Sequence, residues 1–193
     1  MRIAGTTLTG PDALTILRVP LACALVAMGS HRGAALGIFI AGVATDIIDG
    51  WWARRTGTSS ERGARLDSIA DAVFVAATVF VVVTTVALPL SMALATSVGV
   101  IAATRVASLI VTRLRLHTWA IMHTDLNRTS GAALAVAAAV GISRGELSLT
   151  ALLAVAAITQ LAAAEEFAIA STTRSYDPDN RGLLRETIAR VIR

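Results

Sequence analysis

The sequence predicts an all-α, polytopic membrane bundle of six transmembrane helices, and three observations lead there. Hydrophobic residues fill 55% of the 193 positions and charged residues 16%, with a mean hydropathy of +0.69, a balance foreign to ordinary soluble domains. Apolar stretches recur at Ala13 to Ser30, Ala34 to Trp52, Leu66 to Leu88, Leu90 to Val111, Ser130 to Ile142 and Leu147 to Thr172. Most reach the roughly 20 residues that cross a bilayer core as helix. Threaded with the N-terminus inside, these stretches put Arg54, Arg55, Arg62, Arg65, Arg113, Arg115, Arg128, Arg174, Arg181, Arg185, Arg190 and Arg193 on the cytoplasmic side, leaving only Arg32 and Arg144 in outer loops. That is the asymmetry expected of a multi-pass protein of the cell membrane.

The first stretch carries Arg18, lacks a clear small-x-small cleavage site and is followed by further spans, so it reads as a retained helix rather than a secretory signal. Cys23, the single cysteine, lies within it as a small packing residue and excludes an intrachain disulfide or a CxxC metal site. The fifth stretch is short and rich in alanine; it is expected to tilt, to be extended by the loop before it or to pack against its neighbours, with five spans as the alternative. Small residues throughout allow close helix contact, the main source of association energy where lipid is as apolar as the helices. After Ser175, Tyr176 to Asn180 read as a turn. Leu184, Ile188, Val191 and Ile192 then share a face, as in a short helix on the cytoplasmic leaflet or a frayed tail. No linker, repeat or composition break precedes the last twenty residues, so residues 1–193 are expected to form one domain. The net charge of +4 is explained by membrane orientation and attraction to anionic lipid, and no nucleic-acid partner is expected. All 17 basic residues are arginine, so arginine at one site is not by itself a sign of a bidentate phosphate contact.

Four carboxylates break the lipid-facing pattern. Asp46 and Asp49 end the second stretch, and Asp67 and Asp71 lie in the first turns of the third. An ionisable group at membrane depth costs roughly 3 kcal/mol even on permissive insertion scales, so the set is expected to face a cavity or a partner. Asp46, Asp49 and Ala53 fall on one helical face, and Gly63, Asp67 and Asp71 on another. If the two helices face each other, the carboxylates converge and repel unless cations sit among them. Hard oxygen donors without Cys or His favour Mg²⁺ or Mn²⁺ over zinc, and a pair of ions roughly 4 Å apart would bridge the oxygens of a phosphate ester. Gly50 and Gly63, each costing about 1 kcal/mol against alanine in a helix, leave the surface clear for a flat group such as a nucleotide, with Arg54 and Ser60 near at hand for phosphate or base contacts.

The run Asp46, Ile47, Ile48, Asp49, Gly50, Trp51, Trp52, Ala53, Arg54, then eight residues, Gly63, three residues, Asp67, three residues and Asp71 resembles the signature DxxDGxxAR(x8)GxxxDxxxD of the CDP-alcohol phosphotransferase family at every fixed position. Pro11 to Arg18 also resembles the segment that opens the family's first membrane helix. The resemblance implies that Asp46, Asp49, Asp67 and Asp71 bind two divalent ions and that Asp71 is also the general base on the acceptor hydroxyl. It further implies that Gly50, Ala53, Arg54, Ser60 and Gly63 hold the cytidine diphosphate, with Asp12 and Thr15 closing that pocket. The implied reaction is transfer of a phosphatidyl group from CDP-diacylglycerol to an alcohol, with release of CMP, by a homodimer whose active site faces the cytoplasm; the small residues of the third and fourth stretches are candidates for the dimer contact.

A polyol phosphate such as glycerol 3-phosphate or inositol phosphate is the favoured acceptor, and Arg105, Arg113, Arg115 and Arg128 are candidates for its phosphate, or else ordinary positive-inside flanks. The segment His123 to Arg128 departs from the lysine-containing pattern of several such enzymes, which keeps another lipid's hydroxyl, as in phosphatidylglycerol, as the alternative. His117, His123 and Asp125 read as solvated loop residues ahead of a metal or proton relay. Glu165 and Glu166 lie near the cytoplasmic end of the sixth stretch, and at least one is expected to face inward, paired with an arginine rather than catalytic. A small cation transporter is the competing class; it explains neither the glycines nor the Ala53 and Arg54 pair, and no inverted repeat is evident. An inactive scaffold is disfavoured because no signature position is substituted.

Overall fold

The computed structural model describes residues 2–3, 6–7, 10–56, 61–116 and 124–172. The expected helix near Leu184 to Ile192, together with Ser60, His117 and His123, lies outside the described residues. Among the described residues six helices stand where six were expected: α1 Gly10–Ala27, α2 Arg32–Thr56, α3 Glu61–Thr85, α4 Met92–Leu116, α5 Asp125–Arg144 and α6 Leu149–Thr172. A two-residue antiparallel pair, β1 (Arg2–Ile3) and β2 (Thr6–Thr7), precedes them. Among the described residues, three helical segments are long and apolar enough to cross a membrane, Leu66–Thr85, Met92–Arg115 and Leu149–Thr172, and α1 carries a shorter apolar run, Ala13–Ala27.

Side-chain caps set several helix starts. The Ser91 hydroxyl accepts from the Leu94 amide and the Ser148 hydroxyl from the Ala151 amide, each satisfying a first-turn donor. Thr124 does the same for Asn127 at 3.2 Å, and Asp125 adds negative charge at the positive end of the helix. The helix therefore begins five residues before the apolar stretch Ser130 to Ile142, so the fifth helix is extended by the preceding segment. It ends at Gly145, whose φ of +77° is left-handed and whose amide returns to the Gly141 carbonyl at 2.7 Å.

The chain divides into two compact units, Met1–Ala87 with Ala138–Glu146, and Leu88–Ala137 with Leu147–Arg193. In the first, α1 packs along both α2 and α3, while α2 and α3 touch each other at few points. The carboxylates of α2 and α3 still converge, as expected of helices that face each other, and α1 packs along both of them. The buried face of α1 is Thr15, Arg18, Ala22 and Leu25, spaced 3 and 4 residues apart, and α3 answers with Ala70, Phe74, Ala77 and Val81. Such alternation keeps one stripe against a neighbour over several turns. Where α2 and α3 do meet, the rings of Phe39 and Phe74 stack 6.1 Å apart, and the missing side chain of Gly42 makes room for the Phe74 ring. Ile69, Val75, Val79 and Val83 of α3 point outward, as suits a helix with lipid on its other side. Cys23 is also exposed on α1, so within the chain it does not act as the packing residue expected. In the second unit the main contact is between α4 and α6, where Ile169 and Ala170 pack with Val111.

Candidate active site

The aspartates gather around an arginine. Arg18, on the buried stripe of α1, is 1% exposed and its guanidinium meets all four carboxylates. Nη1 donates to Asp67 at 3.1 Å and to Asp71, both on α3. Nη2 donates to Asp49 and lies 3.5 Å from Asp46, both on α2. One turn earlier, Thr15 donates to the same oxygen of Asp49 at 3.0 Å. Helical spacing explains the arrangement: Thr15 and Arg18 are three residues apart, as are Asp46 and Asp49, and Asp67 and Asp71 are four apart, so each helix aims its pair in one direction. Asp49 is buried, whereas the side chains of Asp46, Asp67 and Asp71 are between two-fifths and one-half exposed. The cluster thus has an open side through which a ligand can arrive.

The donor set fits a hard divalent cation. Asp46, Asp49 and Asp67 each offer a carboxylate oxygen within 4.8 Å of the others, and oxygen-only donors are those that Mg²⁺ and Mn²⁺ prefer. Asp71 is joined to this group through Arg18 rather than through that trio.

Arg18 is the residue that the expected site lacked. Its signal was present, because an arginine inside an apolar stretch needs a carboxylate partner at membrane depth, and Thr15, already a candidate, shares its helical face. Thr15 itself is engaged with Asp49. Gly63 lies near the start of α3. Asp12 lies on α1 and Gly50, Ala53 and Arg54 on α2; their side-chain surroundings, like Ser60, lie outside the described residues. Arg55, next in the chain, sits 5.1 Å from the centre of the Trp51 ring, an attraction between cation and ring face that suits a helix end at an interface.

The second unit holds its own polar cluster. Arg105 of α4 pairs with Glu166 of α6 and donates through Nη2 to the Asn127 side-chain carbonyl of α5 at 2.7 Å, and the Asn127 amide donates to Glu166 at 3.3 Å. Ser108 and Thr112, the next positions on that face of α4, are buried, as are both Glu165 and Glu166, and Gln160 donates to Thr104 at 3.1 Å. One of the two glutamates, Glu166, therefore has the arginine partner expected of the pair. Arg113, Arg115 and Arg128 are exposed, and Asp125 opens α5.

Comparison with known proteins bears on the same helices. The profile of the CDP-alcohol phosphatidyltransferase family matches residues 8–164. The chain is 40% identical over 82 residues to "CDP-diacylglycerol--glycerol-3-phosphate 3-phosphatidyltransferase 2" of Arabidopsis thaliana, a stretch that is 40% of this chain and 35% of that protein. It is 45% identical over 76 residues to the chloroplastic/mitochondrial enzyme 1 of the same name and species, covering 37% of this chain and 26% of the relative. A "Cardiolipin synthase (CMP-forming)" of Oryza sativa subsp. japonica is 41% identical over 76 residues, covering 37% and 23%. The matched stretches thus span about a third or less of these relatives' length. No solved structure matches the chain. A match that runs from the opening of α1 through all four aspartates and well into α6 makes this chain a member of the CDP-alcohol phosphatidyltransferase family.

Proposed function

We propose that the chain transfers the phosphatidyl group of CDP-diacylglycerol to an alcohol acceptor, glycerol 3-phosphate first among the candidates, and releases CMP. The observation that carries this reading is the convergence of Asp46, Asp49, Asp67 and Asp71, in the family's spacing, at one partly open site. The four aspartates would hold two divalent ions, Mg²⁺ or Mn²⁺. Such ions, when bound, offset the negative charge of the diphosphate and of the departing CMP.

The remaining roles fall to the protein's own groups. Asp71 accepts the proton of the acceptor hydroxyl. The hydroxyl oxygen bonds to the β-phosphorus as the bond from that phosphorus to the bridging oxygen breaks, and CMP leaves with the electron pair. Gly50, Ala53 and Gly63 leave space for the cytidine diphosphate, Arg54 and Ser60 contact it, and Asp12 and Thr15 close its pocket. Arg105, Arg113, Arg115 and Arg128 receive the acceptor's phosphate. The active site faces the cytoplasm, a reading supported by the arginine asymmetry of the sequence, and the working unit is a homodimer, a reading supported by the family resemblance. Glycerol 3-phosphate is favoured because two relatives carry it in their names; the third, a cardiolipin synthase, supports phosphatidylglycerol as the second reading.

The test is CMP release by the purified full chain with CDP-diacylglycerol and Mg²⁺ or Mn²⁺, comparing glycerol 3-phosphate, inositol 1-phosphate and phosphatidylglycerol, with Asp71→Asn as control. Release that depends on glycerol 3-phosphate and is lost in the variant is the expected result. Release with phosphatidylglycerol alone moves the chain to the second reading. Protein that is folded, binds metal and releases CMP with no acceptor refutes the proposal.

A further inference from the structure

We infer that Arg18 is a built-in counter-cation that competes with divalent ions for the aspartate cluster, holding the site together while it is unloaded. The inference rests on the proposed reading of the aspartates as metal ligands. Its ground is the way the guanidinium is shared: Nη1 serves the α3 pair, Asp67 and Asp71, and Nη2 serves the α2 pair, Asp46 and Asp49. One rigid fork thus reaches the two carboxylate pairs that two ions would have to reach. The fork draws on Asp46, Asp49 and Asp67, the same residues whose oxygens lie close enough together to ligate an ion.

Burial and charge support competition over simple bracing. Arg18 is 1% exposed and always charged, and its Nε finds no hydrogen-bond partner among the described residues. Only the two terminal nitrogens are therefore engaged, and both are engaged with carboxylates. One positive charge against four negative ones leaves the cluster three charges short. Arg18 can keep the carboxylates from driving α2 and α3 apart, yet cannot neutralise them. An arriving divalent ion brings twice the charge of the guanidinium and displaces it from oxygens it shares. A bracing residue would help the ion by fixing its ligands; a competing one must be dislodged first, so its removal tightens binding.

The experiment uses the full chain in detergent, stripped of metal, titrated with Mn²⁺ by calorimetry for wild type, Arg18→Gln and Arg18→Lys, with melting followed in EDTA and in saturating Mn²⁺. Arg18→Gln is expected to bind Mn²⁺ roughly tenfold tighter or more, on the scale by which neighbours of metal ligands change affinity. It is also expected to melt at least about 4 °C below wild type in EDTA, with the gap closing in Mn²⁺. Should Arg18→Gln fail to fold, Arg18→Lys keeps the charge but cannot bridge both pairs, and tighter binding than wild type is again expected. Unchanged or weaker Mn²⁺ affinity in the folded variant overturns the inference while leaving the metal reading intact. Absence of Mn²⁺ binding by wild type overturns both.

Discussion

Each unit of the molecule sets one arginine among side chains from three helices, Arg18 fully buried and Arg105 about a quarter exposed, and the two differ in how the charges add up. Arg105 meets one glutamate and one neutral amide, so its cluster is close to balanced. Arg18 meets four aspartates, so its cluster carries a surplus of three negative charges. A buried ion pair with its remaining hydrogen bonds met is a stable end state whose disruption leaves an uncompensated charge. A surplus of like charge around a buried guanidinium is not balanced within the protein, because the carboxylates repel one another, and its half-exposed side is where cations can arrive. The lesson is that an arginine in a membrane helix says little alone; the sign of what remains after pairing separates a structural clamp from a ligand site.

The largest expected effect tests the surplus. Asp71→Asn should lower CMP release by roughly 10² to 10⁴-fold, the usual worth of a general base, with little change in melting in saturating Mn²⁺. EDTA should remove activity from wild type and Mg²⁺ or Mn²⁺ should restore it; activity that survives thorough chelation would place this cluster with the balanced one. Glu166→Gln probes the other side. It should lower stability by about 2 kcal/mol, less than the roughly 3–5 kcal/mol of a fully buried broken pair, because Arg105 keeps some exposure, and melting of the variant reads this directly. A fall in CMP release as large as that from Asp71→Asn, without loss of fold, would show that the Arg105 cluster belongs to the chemistry.

Smaller effects sharpen the packing behind each cluster. Gly42→Leu pushes a side chain into the Phe74 ring and should cost about 1–3 kcal/mol as overpacking, loosening the aspartate unit. Thr124→Ala removes the cap from the helix that carries Asn127 and should cost about 1 kcal/mol. If melting fell more for the cap than for the ring clash, the ranking of the two supports would be reversed.

Charge, hydropathy and spacing were enough to read six helices, the four aspartates and their family signature, because these are properties of order along the chain: a helix fixes which residues share a face before any neighbour is present. That at least one of Glu165 and Glu166 faces inward was legible too, since an intramembrane acid needs a cation, and both are buried. Three things needed the folded chain, two of them its tertiary structure and one a local cap. The aspartate helices bring their carboxylates together with α1 packed along both, because the Thr15 to Leu25 stripe finds two partners at once. The fifth helix begins at Asp125, because the Thr124 hydroxyl satisfies its first turn, a matter of local hydrogen bonding that hydropathy does not register. Arg18 was visible as an oddity in an apolar run, but which charges it meets depends on the relative rotation of three helices. Helix rotation is set by side-chain packing over the whole contact, and no spacing within a single segment encodes it.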